Sequence, residues 1–291
     1  MDTLTAFELW LQEEGRVRGT IVSYIGDVRD YQTFLEHHAA EQPDQLLTRF
    51  FVMSFKDHLM NRGYAVTTIN KKLNSLKVFN DFLIERGIVT TSFLSLKRDQ
   101  IKVADGTGQV DVLTQQQVDQ LLFYLETSPK VSKRNKLACY LFLYTGVRAS
   151  ELVSLKVSDV DPILRNITVY GKGSKLREIN LKQELLDVLQ DYCRTERNMS
   201  NYRDSDYLLL SQRGGKLARD SIREWMANVS KELGFPLYPH RLRHTFCTNL
   251  IQKGVDLATV SQLAGHSNVQ MTIRYYINIS QEQKQQAVDL L

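Results

Sequence analysis

The sequence predicts a mainly α-helical protein with one small β-sheet, divided into an all-helical N-terminal domain and a mixed α/β C-terminal domain. Three observations predict it. Apolar residues recur at helical spacing through the first hundred positions, with no strand alternation. Residues 102–111 (Lys-Val-Ala-Asp-Gly-Thr-Gly-Gln-Val-Asp) carry two glycines, no large aromatic and no period, the composition of a linker. Beyond them, two short alternating, β-branched runs flank Gly171-Lys172-Gly173-Ser174-Lys175, and the rest is again helical. The expected domains are residues 1–101 and 112–291, joined by 102–111.

Taken in order, residues 4–14 form a short amphipathic helix. Residues 20–41 place Ile21, Tyr24, Ile25, Val28, Tyr31, Phe34 and Leu35 at a helical period. Residues 47–62 form a third helix, ended by Gly63, and 67–86 a fourth, ended by Gly87. In the fourth, Ile69, Leu73, Leu76, Phe79 and Leu83 make the apolar stripe, so Lys71, Lys72 and Ser75 are expected off it. In the second domain Leu113-Thr114 opens a helix with Thr114 as its cap. An apolar helix ends at Gly146 and another begins near Ala149. Residues 167–170 and 176–181 form a β-hairpin, and 207–210 are a candidate third strand. Residues 219–233, 240–253, 256–264 and 280–290 complete the helices.

A chain of 291 residues is comfortable for two domains, each with its own core. Hydrophobic content of 43% and charged content of 24% are ordinary for a globular protein. The formal net charge is +4, a mild surplus that does not by itself specify a nucleic-acid partner. Its position says more: basic and acidic side chains balance over residues 1–103, so the whole surplus belongs to the second domain. Cys139, Cys193 and Cys247 form neither a CxxC pair nor a zinc spacing, and Cys139 and Cys247 lie in apolar helical contexts. Buried structural thiols in a reducing compartment are expected. Met1-Asp2-Thr3-Leu4 lacks a basic-then-apolar leader pattern, and the longest apolar run, 137–144, is too short to span a bilayer. The expectation is a cytoplasmic protein with no membrane association, no cofactor and no metal site.

Four local settings carry chemistry. Pro239 starts a helix on which His240 and Arg243, three residues apart, share a face, while Leu242, Phe246 and Leu250 turn toward the core. Arginine suits two phosphate oxygens at once. Arg148, in Tyr144-Thr145-Gly146-Val147-Arg148-Ala149-Ser150-Glu151-Leu152, sits at the junction of two apolar helices, with Glu151 anchoring the second. Lys172 sits at the expected hairpin tip, a long cation on a glycine-permitted turn. His266 follows a helix end and Gly265, and Tyr275 follows nine residues later. Each alone also reads blandly, as a solvated basic face, a surface arginine, a hydrophilic turn or core tyrosine packing.

Together the four resemble the tyrosine recombinase (phage integrase) family. The carriers are an arginine in a TGxRxxE setting, a lysine in a hairpin, HxLRH, and LxGH with a tyrosine nine residues on. Size and compactness are closest to its Xer-like branch and to the resolution recombinases of mobile elements. The resemblance covers essentially the whole chain, with the N-terminal helices similar to the family's core-binding domain. It implies a DNA recombinase whose Tyr275 attacks a scissile phosphate, leaving a 3′-phosphotyrosine and a free 5′-hydroxyl, with the Holliday junction as the strand-exchange intermediate. Tyr275 is favoured over its neighbour Tyr276 by the spacing from His266. Arg148 and Arg243 would hold non-bridging oxygens, His266 would add a hydrogen bond, and Lys172 would protonate the leaving oxygen. His240 would assist proton transfer at the tyrosine or hold the phosphate, and His244 is read as structural. The partner implied is double-stranded DNA with a short inverted-repeat site, bound by a homotetramer, with a partner recombinase or accessory protein as a further option. The fourth helix, through Lys71, Lys72 and Ser75, is expected to enter a major groove; Arg219 and Arg223 form a second surface, and Lys175 and Arg177 meet backbone phosphates. Residues 280–291 would form a short helix that docks into a neighbouring protomer, or else folds back on its own domain. A type IB topoisomerase-like relaxase and a DNA-binding protein that keeps the fold without activity are the competing readings.

Overall fold

A computed structural model describes residues 2–38, 48–102, 111–171 and 176–266. Packing divides the chain into two units, Met1–Asp105 and Gly106–Leu291. The first is helical throughout, as its apolar periodicity demands: α1 (Thr3–Glu13), α2 (Arg18–His38), α3 (Arg49–Asn61), α4 (Val66–Glu85) and the single turn α5 (Leu96–Asp99). Its core is aromatic, with Phe7 edge-on to Phe79 at 5.0 Å and Tyr31 edge-on to Phe55 at 5.3 Å. Thr48 caps α3 through a bond from the Phe51 amide. Gly63 and Gly87, just past the ends of α3 and α4, take positive φ as the sequence led one to expect.

One expectation for this unit is overturned. Lys72 and Ser75 do not face outward; they are 6% and 0% exposed. The reason is Asp27, which α2 carries at 4% exposure and which needs partners there. Ser75 Oγ donates to Asp27 Oδ2 at 2.6 Å, Lys71 Nζ reaches the same oxygen at 2.7 Å, and Lys72 Nζ bridges Asp27 and Asp30 at 3.2 and 2.5 Å. These cations join α4 to α2. Only Lys71, whose side chain is about half exposed, presents part of itself to solvent.

The second unit is built on α7 (Lys133–Thr145), buried on nearly every side from Leu137 to Leu143 and packed against α9 (Gln183–Tyr192) and α11 (Pro239–Gln252). Around it lie α6 (Gln115–Thr127), α8 (Ala149–Leu152), α10 (Arg219–Leu233) and α12 (Leu257–Ala264). Thr114 and Gln117 form a reciprocal capping box at the start of α6. The sheet is antiparallel in the order β1 (Val160–Asp161), β2 (Asn166–Tyr170), β3 (Leu176–Asn180), with Val169 opposite Arg177 and Tyr170 opposite Leu176. The third strand is therefore β1, not 207–210. Leu208, Leu209 and Leu210 are all buried in succession, so the segment cannot alternate; it makes one bridge, Lys156 to Tyr207, and stops. Cys139 and Cys247 are buried free thiols, as expected. Among the described residues, no helix is long and apolar enough to cross a membrane.

Candidate active site

Arg148 is placed by the chain on both sides of it. Gly146 ends α7 at φ 62°, and a Cβ there would run into the Phe246 ring of α11, so the turn is reserved for glycine. Val147 is fully buried, which leaves Arg148 as the residue preceding α8. Glu151, one turn on, accepts from the Arg148 amide at 2.8 Å and from its Nη1 at 2.8 Å. The carboxylate thus fixes the backbone and the side chain of the arginine together.

Arg243 comes from α11 and is 1% exposed. Its Nη1 donates to the Gly146 carbonyl and its Nη2 to the Ala264 carbonyl, the latter at 2.6 Å. Burial pulls its pKa down to about 10, and the charge of Arg148 adds to that effect. It remains a cation at neutral pH.

The two arginines meet at the C-terminal end of α12. Arg148 Nη2 donates to the Gly265 carbonyl at 2.6 Å, and Arg177 Nε to the Leu263 carbonyl at 2.9 Å. Three successive carbonyls, of Leu263, Ala264 and Gly265, therefore each receive one guanidinium. The last carbonyls of a helix lack intrahelical partners and carry its negative dipole end, so cations belong there. Gly265, at φ 63°, ends the helix, and the His266 amide turns back to the Ser261 carbonyl at 3.0 Å. His266 lies beside these cations; burial, then Arg243 and Arg148, lower its pKa to about 4. It is a neutral imidazole at pH 7.

His240 lies on α11 one turn before Arg243, with its ring 4.4 Å from that of His244. Its ring is crowded by protein although the residue is exposed. That desolvation, then the charges of Arg243 and Arg148, lower its pKa. His244 is held at about 4 by burial and by His240, against an opposing hydrogen bond to the Asp111 backbone. A cleft of about 1030 Å³ opens beside this group, lined by Arg148, Glu151, Tyr170, Arg177, Leu263 and His266 among others.

The structure thus brings together Arg148, Arg243 and His266, with His240 on the same helix as Arg243. Lys172, Lys175, Tyr275 and the helix expected at 280–290 lie outside the described residues. Arg219 and Arg223 are exposed on α10, Arg223 lying 3.6 Å from Asp220. Arg177 corrects its expectation: its side chain is 11% exposed and faces Glu151, with Nη2 to Oε2 at 2.7 Å and Nη1 to Oε1 at 3.1 Å. The signal that could have found it is that Arg177 shares a sheet face with the buried Val169 opposite it and Ile179 two residues on, where an arginine turned inward needs a carboxylate. Among the described residues, no group of three or more His, Cys, Asp or Glu side chains could hold a metal ion.

The signature described as the phage integrase family matches residues 111–283, and that described as the phage integrase N-terminal SAM-like domain matches 4–87. The chain belongs to the phage integrase family. As a member of this tyrosine recombinase family it is a site-specific recombinase that works through a tyrosine intermediate. It is similar to the TnP I resolvase of Bacillus thuringiensis, 32% identical over 301 residues and 100% of each chain. It is also similar to the tyrosine recombinase XerD of Oceanobacillus iheyensis, 32% identical over 90% of this chain and 89% of that one. Among solved structures, the Tn1549 transposon integrase in complex with a circular intermediate DNA shares the integrase fold at TM-score 0.76 and 20% identity, over 99% of each chain. The XerH recombinase bound to a palindromic difH substrate shares it at TM-score 0.74 and 21% identity, over 92% of this chain and 79% of that one.

Proposed function

We propose that this recombinase binds duplex DNA at a short inverted-repeat site and exchanges strands between two such sites through a Holliday junction, with Arg148, Lys172, His240, Arg243, His266 and Tyr275 as its catalytic set. The observation that supports this best is the convergence of Arg148 and Arg243, from separate elements, beside a neutral His266. The Tyr275 oxygen attacks the scissile phosphorus, the phosphorus–5′-oxygen bond breaks, and a 3′-phosphotyrosine and a 5′-hydroxyl result. The phosphodiester energy is kept in the new bond, so no ATP is consumed. A phenol of pKa about 10 loses its proton as it attacks, with His240 assisting that transfer or holding the phosphate. Lys172 supplies the proton to the leaving 5′-oxygen. The transition state carries more negative charge on its non-bridging oxygens than the ground state does. Preoriented guanidinium groups in a partly desolvated cleft therefore favour it selectively. Arg148 and Arg243 each direct two of five N–H donors to protein partners among the described residues, which suits them to hold phosphate oxygens with the others.

Four active sites on two duplexes imply a homotetramer on DNA, acting with or without a second recombinase or accessory protein, in the cytoplasm. Residues 1–101 act as the core-binding domain and 112–291 as the catalytic domain. The exposed Arg219 and Arg223 supply DNA contacts, as does Lys175. The test is strand exchange between two copies of a bound site on one circular substrate. Exchange products and four-way junctions are expected only when two sites are present; relaxation of single-site circles without exchange would instead establish a relaxase.

A further inference from the structure

We propose that Arg177 is a positioning residue of the strand-cleavage centre: it balances Glu151 and locks the end of α12, so that Arg148 and His266 are held in register for the phosphate it does not itself touch. This rests on the recombinase reading above.

The geometry makes Arg177 a clasp between three elements. It stands inside β3, opposite Val169 of β2, so its backbone is fixed by the ladder. Its Nη1 and Nη2 grip the two oxygens of Glu151 as a fork, at 3.1 and 2.7 Å. Its Nε donates to the Leu263 carbonyl at 2.9 Å. The guanidinium lies against Gly265 so closely that a Cβ there would sit 2.7 Å from Nη1. One side chain therefore sets the carboxylate that orients Arg148 and the helix end that precedes His266.

Charge gives the second half of the argument. Glu151 has 5% of its side chain exposed and touches two guanidinium groups. Arg148, Glu151 and Arg177 together carry one net positive charge. Remove Arg177, and the buried carboxylate has Arg148 as its remaining ionic partner and draws that guanidinium onto itself, away from the orientation a phosphate needs. The Leu263 carbonyl also loses its side-chain donor, freeing the α12 end to shift. A misplacement of about 1 Å is enough to cost about a hundredfold in rate. Lysine cannot replace the arginine, because a point charge cannot make the fork and the Nε bond at once.

The test uses the full chain with a duplex bearing a sequence recovered from wild-type covalent adducts on fragmented host DNA. Single-turnover formation of the protein–DNA adduct at saturating duplex, duplex affinity and thermal midpoint are measured for wild type, Arg177→Ala, Arg177→Lys and the double variant Arg177→Ala/Glu151→Gln, with Tyr275→Phe as control. The expectation is a cleavage rate about a hundredfold lower for Arg177→Ala at unchanged affinity. Arg177→Lys also falls, and the double variant recovers part of the loss because a neutral amide in place of the carboxylate no longer competes for Arg148. If Arg177→Ala does not fold, Arg177→Lys carries the test, and a wild-type rate in it overturns the proposal. So does weakened binding with a salt dependence lower by about one, which marks a phosphate contact. A double variant worse than Arg177→Ala alone would show a mere prop and also overturns it. Absence of any wild-type adduct overturns the recombinase reading instead, a result visible before a variant is made.

Discussion

Arg148 Nη2 donates to the Gly265 carbonyl oxygen across 2.6 Å, joining the start of α8 to the end of α12. The same helix end receives Arg243 and Arg177, so the placement of the cations and the placement of His266 are one structural problem.

Gly265→Ala is expected to damage the site from behind. At φ 63° an alanine is strained by about 1 kcal/mol, and its Cβ would meet Arg177 Nη1 at 2.7 Å. The predicted outcome is a modest fall in stability and a larger fall in DNA cleavage, read by thermal unfolding and adduct yield. Gly146→Ala should cost more stability, because the added carbon meets the Phe246 ring rather than the end of a long side chain. Equal stability losses in the two variants would contradict this ordering.

Stability should depend on pH through two half-buried histidines. His266 and His244 have folded pKa values near 4, below their ordinary 6.5. Between those values the unfolded chain binds more protons than the folded one. The contribution is therefore present above about pH 6.5 and lost as pH falls toward 4, by up to about 1.4 kcal/mol per unit for each histidine. Urea unfolding at pH 7.5 and at pH 5 tests this, with His266→Asn expected to flatten the dependence. A pH-independent unfolding energy would contradict it.

Lys72 and the α10 arginines should behave oppositely. Lys72→Ala removes a buried partner of Asp27 and is expected to cost about 3 kcal/mol of stability without changing the salt dependence of DNA binding. Arg219→Ala/Arg223→Ala, at exposed positions, is expected to leave stability intact, weaken duplex binding and lower the salt slope by about two. Titration of binding against salt separates the two cases, and a salt slope lowered by Lys72→Ala would restore that residue to the DNA surface.

Much of this was legible in the sequence because it depends on neighbours along the chain. The helices of the first unit follow from apolar period and terminal glycines, and the 219–233 helix falls where its pattern put it. The Gly146 turn and the placement of Arg148 between two helices are likewise local; that Glu151 also grips the Arg148 guanidinium comes from the structure. What could not be read were partnerships across the fold. Lys72 and Ser75 read as a polar face of α4 because their partner, Asp27, lies 45 and 48 residues earlier. Asp27 stands within the apolar period of α2, beside Val28, and that was the usable warning. Arg177 read as a hairpin cation because Glu151 and Leu263 are 26 and 86 residues away. The third strand is not legible in the sequence because Leu208–Leu210 is apolar on both faces, a pattern shared by strands and by buried irregular chain.

The most direct measurement is covalent capture. The protein is mixed with fragmented host DNA and denatured, and DNA that remains attached is recovered and sequenced, beside a Tyr275→Phe control. The account predicts attachment at one short inverted-repeat sequence through a 3′-phosphotyrosine, absent from the control. Attachment that survives the loss of the Tyr275 hydroxyl, or no attachment by wild-type protein that binds DNA, would contradict it.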